Sequence, residues 1–177
     1  MKRILQYGRH LLRARGRHGT HSPFVYAFVE QVMRARPQVA LPQQDRFRPK
    51  EAGLLYQTLR YLSPRVICAD PAVLDAVAAI ATQALPDVPV QAWTSEPVPP
   101  QALLICNADD VLPDRLQHLP DHPLKVLLAG PHEHKAAESI WMRVAASASV
   151  KMSIDYWYFG LLVSDPAFKA KQHFRLR

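Results

Sequence analysis

No stretch of this 177-residue chain approaches the ~18 consecutive apolar residues of a membrane span, so none is expected. The basic start, MKRILQYGRHLLRARGR, is followed by no apolar signal region or small-residue cleavage site, so no signal peptide is expected either. Cysteine is scarce. Cys68 and Cys106 sit in apolar runs without metal-type spacing, and they read as reduced core residues of a cytoplasmic protein. A GxSxG elbow is absent, which disfavours acyl transfer by a serine, histidine and acid. His118, His122, His132 and His134 show no four-ligand spacing, and the HEH at 132–134 is not HExxH, so no metal is expected. Internal repeats and low-complexity tracts are also missing.

What is present is the composition of a soluble globular domain, 49% hydrophobic and 21% charged, long enough to bury one real core. Its net charge of +7 is unevenly spread. Residues 1–36 carry Lys2, Arg3, Arg9, Arg13, Arg15, Arg17, Arg34 and Arg36 against Glu30 alone, and the remainder of the chain balances to zero. Residues 2–17 could therefore contact nucleic acid or an anionic surface. The favoured reading is a solvated helix face, because no aromatic or glycine interleaving of a nucleic-acid module accompanies the charge.

The first ~15 residues have helical spacing, and Gly16 and Gly19 end that helix. Ser22-Pro23 starts a second helix running to about Arg36; the serine hydroxyl is expected to cap it, with proline at the first helical position. A proline-punctuated link leads to a helix through Leu54, Leu55, Leu59 and Leu62, which Ser63-Pro64 ends. Strands and helices then alternate. Strands are predicted at Val66–Ala69, Val88–Trp93, Ala102–Cys106 and Lys125–Ala129, and helices at Ala72–Ala84, 112–119 and 133–147. Pro89 restricts Val88–Trp93 to a sheet edge. Val150–Asp155 and Tyr158–Ser164 read as an antiparallel pair closing the sheet. The pattern is a one-domain α/β fold, with 1–62 as a helical cap and 63–177 as a mostly parallel sheet covered on both sides.

Ligands of such sheets bind beyond the carboxyl ends of the strands. After the first strand come Asp70-Pro71-Ala72-Val73-Leu74, with no glycine to bring backbone amides against a phosphate. Asp70 as a helix cap with Pro71 at the first helical position explains both residues. Glu96, after the second strand, stands where an acid often holds a ribose, although a solvated loop glutamate is the favoured reading because no glycine loop accompanies it. Asn107-Ala108-Asp109-Asp110 follow the third strand; the two aspartates could bind a divalent ion or act as a base, but capping the 112–119 helix is the simpler role.

Three stretches together resemble one family. RGRHGTHSPFVYAFVEQVM resembles the HG-x-HSPFV segment of Bacteroidetes-type class I SAM-dependent methyltransferases. GPHEHKAAESIWMRV is similar to their DDIHWS-x-EM-x-x-AW helix, with His132 and Trp141 at the same separation. The tail SIDYWYFGLLVSDPAFKAKQHFRLR resembles their closing strands and the KEHF-x-(I/L)R ending. The resemblance covers about two-thirds of the chain and implies a Rossmann-like fold.

Its departures fall on the cofactor site. The family's glycines would lie over Asp70–Leu74, its acidic pair corresponds to Ala129-Gly130, and Asn107 replaces an aspartate. Glu96 alone keeps a family position, that of the ribose-binding acid. Between Glu96 and Ala102 there is no room for the family's third strand, which leaves Val88–Trp93 at the edge with Trp93 uncovered.

The expectation is a trimmed sheet of about six strands, in the family's strand numbering 2-1-4-5-7-6. It implies a methyltransferase-like protein with a degenerate SAM site, no resident cofactor, and a role in protein contacts through a homodimer or partner at Val88–Trp93. One alternative is an active methyltransferase that binds SAM through Glu96, Asp70 and Asn107. Another is a nucleic-acid-associated protein using residues 2–17.

Overall fold

A computed structural model describes residues 7, 8, 10, 11, 22–94, 98–108, 123–168 and 170–176. The predicted 112–119 helix, the glycine breaks at 16 and 19, and Glu96, Asp109, Asp110, His118 and His122 lie outside the described residues. So does most of the basic 2–17 segment.

Helix α1, Pro23–Phe28, starts with Pro23 at its first position, where a missing N–H costs nothing. The expected serine cap is corrected: the Ser22 side chain makes no capping bond, and only its carbonyl is used, by the Tyr26 N–H at 2.9 Å. The helix then widens into a π-helical turn, Val29–Met33, instead of continuing to Arg36; the Arg34 N–H reaches back to the Val29 carbonyl at 3.1 Å. Helix α2, Pro49–Leu62, begins with the Glu51 carboxylate accepting from the Arg48 N–H at 3.0 Å. It stops at Ser63, whose φ of 41° lies in the left-handed region. Helices α3, Pro71–Ala84, and α4, Lys135–Ala146, are amphipathic and bury Val73, Val77 and Ile80, and Ile140, Trp141 and Val144, respectively.

Seven strands form one sheet: β1 Val66–Ala69, β2 Val90–Ala92, β3 Ala102–Asn107, β4 Leu124–Ala129, β5 Met152–Asp155, β6 Phe159–Ser164 and β7 Gln172–Arg175. Their order is β2-β1-β3-β4-β6-β5-β7. β6 runs antiparallel to β4 and β5, and the other pairs are parallel. The expectation of about six strands is thereby corrected in count, by a seventh strand added beyond β5. The β5–β6 pair does not close the sheet, because β7 adds to β5 in parallel, with Asp155 opposite Arg175. A strand reading Gln-His-Phe-Arg, nowhere fully buried, carries no hydrophobic alternation to announce it.

Side chains on the central strands alternate between two cores. Leu103 and Ile105 of β3, Leu127 of β4 and Leu161 of β6 face α1, α2 and α3. Leu104, Cys106, Val126, Leu128 and Leu162 face α4. Each such buried aliphatic side chain contributes about 1.5–3 kcal/mol. The described helices α1 and α2 thus share a core with the sheet. Among the described residues no helix is long and apolar enough to cross a membrane.

β2 lies at one edge of the sheet, as Pro89 required. Trp93 is a correction. It is 5% exposed and packs with Cys68, Val98 and Ala102 against the α4-side core. Val98, shortly before β3, lies in the same buried cluster as the indole.

Candidate functional site

The carboxyl ends of β1, β3, β4, β5 and β7 lie along one side of the sheet and carry two groups of polar residues. The first surrounds the predicted Asp70 and Asn107, which the structure brings together. Asp70 occupies the N-cap position of α3, but its carboxylate makes no capping bond and instead accepts from the Asn107 N–H at 3.3 Å. Asp70 is 5% exposed. The Asn107 side-chain oxygen accepts from Arg46 at 2.7 Å, and the same guanidinium pairs with Glu133 at 3.1 Å. Arg46 comes from the proline-rich link before α2 and also packs on Phe47. Next to Arg46 and Glu133, a cavity of about 10 Å³ reaches toward Trp157, room for a single water. Gly130 closes the end of β4 with φ of 66°; a Cβ there would strike the Glu133 side chain, so the turn that places Glu133 needs glycine.

The second group centres on Asp155, the last residue of β5, which is fully buried. Its carboxylate accepts from the Trp157 N–H at 3.1 Å and has both oxygens 3.0 Å from His132 Nε2. Arg175 Nε stands 3.4 Å from Oδ2, carried there by the β5–β7 register. His10 Nδ1 is 3.7 Å from Oδ1, and its other nitrogen bonds the Leu176 carbonyl at 2.8 Å. Trp157 holds a positive φ of 73° in the turn between β5 and β6 and stacks on His132, ring centres 4.7 Å apart. A bulky residue in that region stores strain on the order of 1–3 kcal/mol, which the surrounding contacts must offset. Tyr7 and His10 close the other edges of the indole.

Burial alone pushes the Asp155 carboxyl up. The His132 bond, the His132 and His10 charges and the Trp157 amide outweigh it and hold the group below the ordinary carboxylate range. Burial dominates at His10 and keeps it below the ordinary imidazole range, against the pull of Asp155. Beneath the cluster, burial raises the Tyr156 phenol far above its usual range; its hydroxyl bonds Thr58 at 3.1 Å.

Of the remaining sequence candidates, His134 caps α4, its Nδ1 accepting from the Ala137 N–H at 3.1 Å. Cys68 and Cys106 are buried and unbridged. The Asp155 cluster was not anticipated, although a signal for it existed. His132, Asp155 and Arg175 all fall within the three stretches that carry the family resemblance. His10 falls in none of them.

No protein-family model matches the chain, and no curated protein does. Among solved structures, the chain is similar to the methyltransferase subunit of a type I restriction-modification system from Streptococcus thermophilus, at 8% identity and a TM-score of 0.33. The match covers 70% of this chain and 46% of that one, so the chain spans under half the length of that protein.

Proposed function

We propose that this is a methyltransferase-like protein with a degenerate SAM site, acting through contacts with other proteins and not through catalysis. The observation that carries the reading is Arg46 at the end of β3, bonded to Asn107 and paired with Glu133. Any ligand seated there must displace those bonds, and the sulfonium of SAM, itself a cation, meets a guanidinium. Asp70 and Asn107 spend a carboxylate oxygen and an amide on each other. Pro71 has no N–H to offer, and no glycine opens the turn. The described residues therefore fit SAM poorly.

The edge strand β2 is the place for a homodimer or a protein partner. The contact would run along Val90–Ala92, where β1 is the only strand partner among the described residues, and not through Trp93. A cytoplasmic setting with two reduced cysteines belongs to the same reading. The test is a thermal-unfolding series with SAM alongside sedimentation of the full chain. Millimolar SAM leaves the midpoint unchanged, and the chain associates at micromolar concentration. A rise of several degrees with SAM, or a strict monomer that recovers no partner, contradicts the proposal.

A further inference from the structure

The Asp155 cluster holds more nitrogen lone pairs than its protons can serve. His10 Nε2 donates its proton to the Leu176 carbonyl at 2.8 Å, which leaves Nδ1 as the unprotonated face of a neutral ring. That Nδ1 is buried, points at Asp155, and has no hydrogen-bond partner among the described residues. His132 turns Nδ1 toward Glu138 at 3.8 Å and Nε2 toward Asp155. The Leu176 carbonyl thus orients the His10 ring from behind, the arrangement that fixes the tautomer of a metal-ligating histidine, and Glu138 places a carboxylate on the far side of His132 that can take its Nδ1 proton when Nε2 turns to a metal. The inward atoms are two imidazole nitrogens and a carboxylate, all within 4.8 Å of one another. A single proton on His132 satisfies one contact and leaves His10 Nδ1 facing a carboxylate with nothing between them.

We propose that His10 Nδ1, His132 Nε2 and an Asp155 oxygen bind one divalent transition-metal ion of the zinc class. Two nitrogens and one oxygen suit zinc and exclude the all-oxygen preference of calcium and magnesium. With metal–ligand bonds of about 2.0–2.1 Å, tetrahedral ligand atoms stand about 3.3 Å apart. The present separations of 3.0 Å from His132 to Asp155 and 3.7 Å from His10 to Asp155 bracket that value. The third separation, between the two histidine nitrogens, lies within 4.8 Å. Arg175 opposes the ion's charge, and it sits on Oδ2, leaving Oδ1 as the ligating oxygen; Glu138 behind His132 offsets it. A water completes the coordination.

The ligands come from the first described helical residues, the loop after β4 and the end of β5, so the ion staples the start of the chain to its closing strands. Spacing rules could not find it, because the three ligands are scattered through the sequence. The site uses none of Asp70, Arg46 and Asn107 as a ligand, and it stands or falls independently of the function proposed above.

The test is metal analysis of the full chain after chelator treatment and reloading with Zn2+, followed by Co2+ substitution. One equivalent of zinc binds. The cobalt form shows the intense visible bands of a four-coordinate ion. Zinc at about a hundredfold over its dissociation constant raises the unfolding midpoint by about 5–10 °C. His10→Ala and His132→Ala weaken binding by about 100-fold or more, whereas His134→Asn, which alters a histidine outside the cluster, leaves it unchanged. The cobalt spectrum of the unaltered chain decides the matter if a variant fails to fold. No stoichiometric ion, a six-coordinate cobalt spectrum, or equal loss in His134→Asn overturns the proposal.

Discussion

The two polar groups along the carboxyl side of the sheet are built on opposite principles. Around Asn107, partners are matched: Asp70 takes its amide, Arg46 takes its side-chain oxygen, and Glu133 takes the rest of the guanidinium. Around Asp155, one buried carboxylate faces two imidazoles and a guanidinium, and His10 Nδ1 and Arg175 Nε have no hydrogen-bond partner among the described residues. The first arrangement sits where the fold class places its ligands, yet its groups are engaged with one another. The second sits away from the β1–β3 turn and retains unspent coordinating capacity. Position in the fold and chemical readiness are therefore separate properties, and in this chain they have come apart.

The comparison is sharpened most by Asp155→Ala. It removes the buried anion that three basic side chains face. The expected loss is about 3–5 kcal/mol in urea unfolding, as for a broken buried ion pair. A loss below 1 kcal/mol would mean that the cluster is not organised by its charge.

Gly160→Ala tests the floor of the same end. Gly160 pairs with Asp155 across β5–β6, and a Cβ on it would meet the Trp141 ring at 2.4 Å. Trp141 is fully buried and cannot retreat freely, so overpacking should cost about 1–3 kcal/mol in the same assay.

At the Asn107 end the expected effects are smaller. Asp70→Ala leaves the Asn107 N–H without its acceptor and should cost about 1 kcal/mol. Arg46→Ala should cost less than about 1 kcal/mol, because its Glu133 partner is 39% exposed and water screens the pair. Chemical denaturation of both variants beside Asp155→Ala ranks the two ends directly, and the reverse ranking would break the comparison.

Much of the sheet was legible because its physics is local. The β-strand runs ALLIC and KVLLA are apolar on both faces, and the structure covers both faces with helices. Pro89 marked its strand as an edge, since a residue without N–H weakens a central ladder. The departures have equally physical origins. β7 is a half-exposed polar strand whose pairing depends on β5, and no periodicity within its four residues reveals it. Trp93 was expected at the surface of an edge strand, but it packs into the α4-side core with residues distant in sequence, and such packing leaves no mark in its local pattern.

The site divides in the same way. Asp70 and Asn107 could be singled out because each stands at the carboxyl end of an apolar strand. Arg46 could not, because nothing in the proline-rich link shows that its guanidinium reaches β3. His10, His132, Asp155 and Arg175 come from separate parts of the chain, and only tertiary packing brings them together. The resemblance motifs marked three of these four positions without giving a reason for them. Convergence on one buried carboxylate supplies that reason.

The most direct test of the degenerate cofactor site is calorimetric titration of the full chain with SAM. The matched bonds around Arg46 and Asn107 predict a dissociation constant weaker than about 1 mM, a binding free energy weaker than about −4 kcal/mol. A micromolar constant with one-to-one stoichiometry would contradict the account.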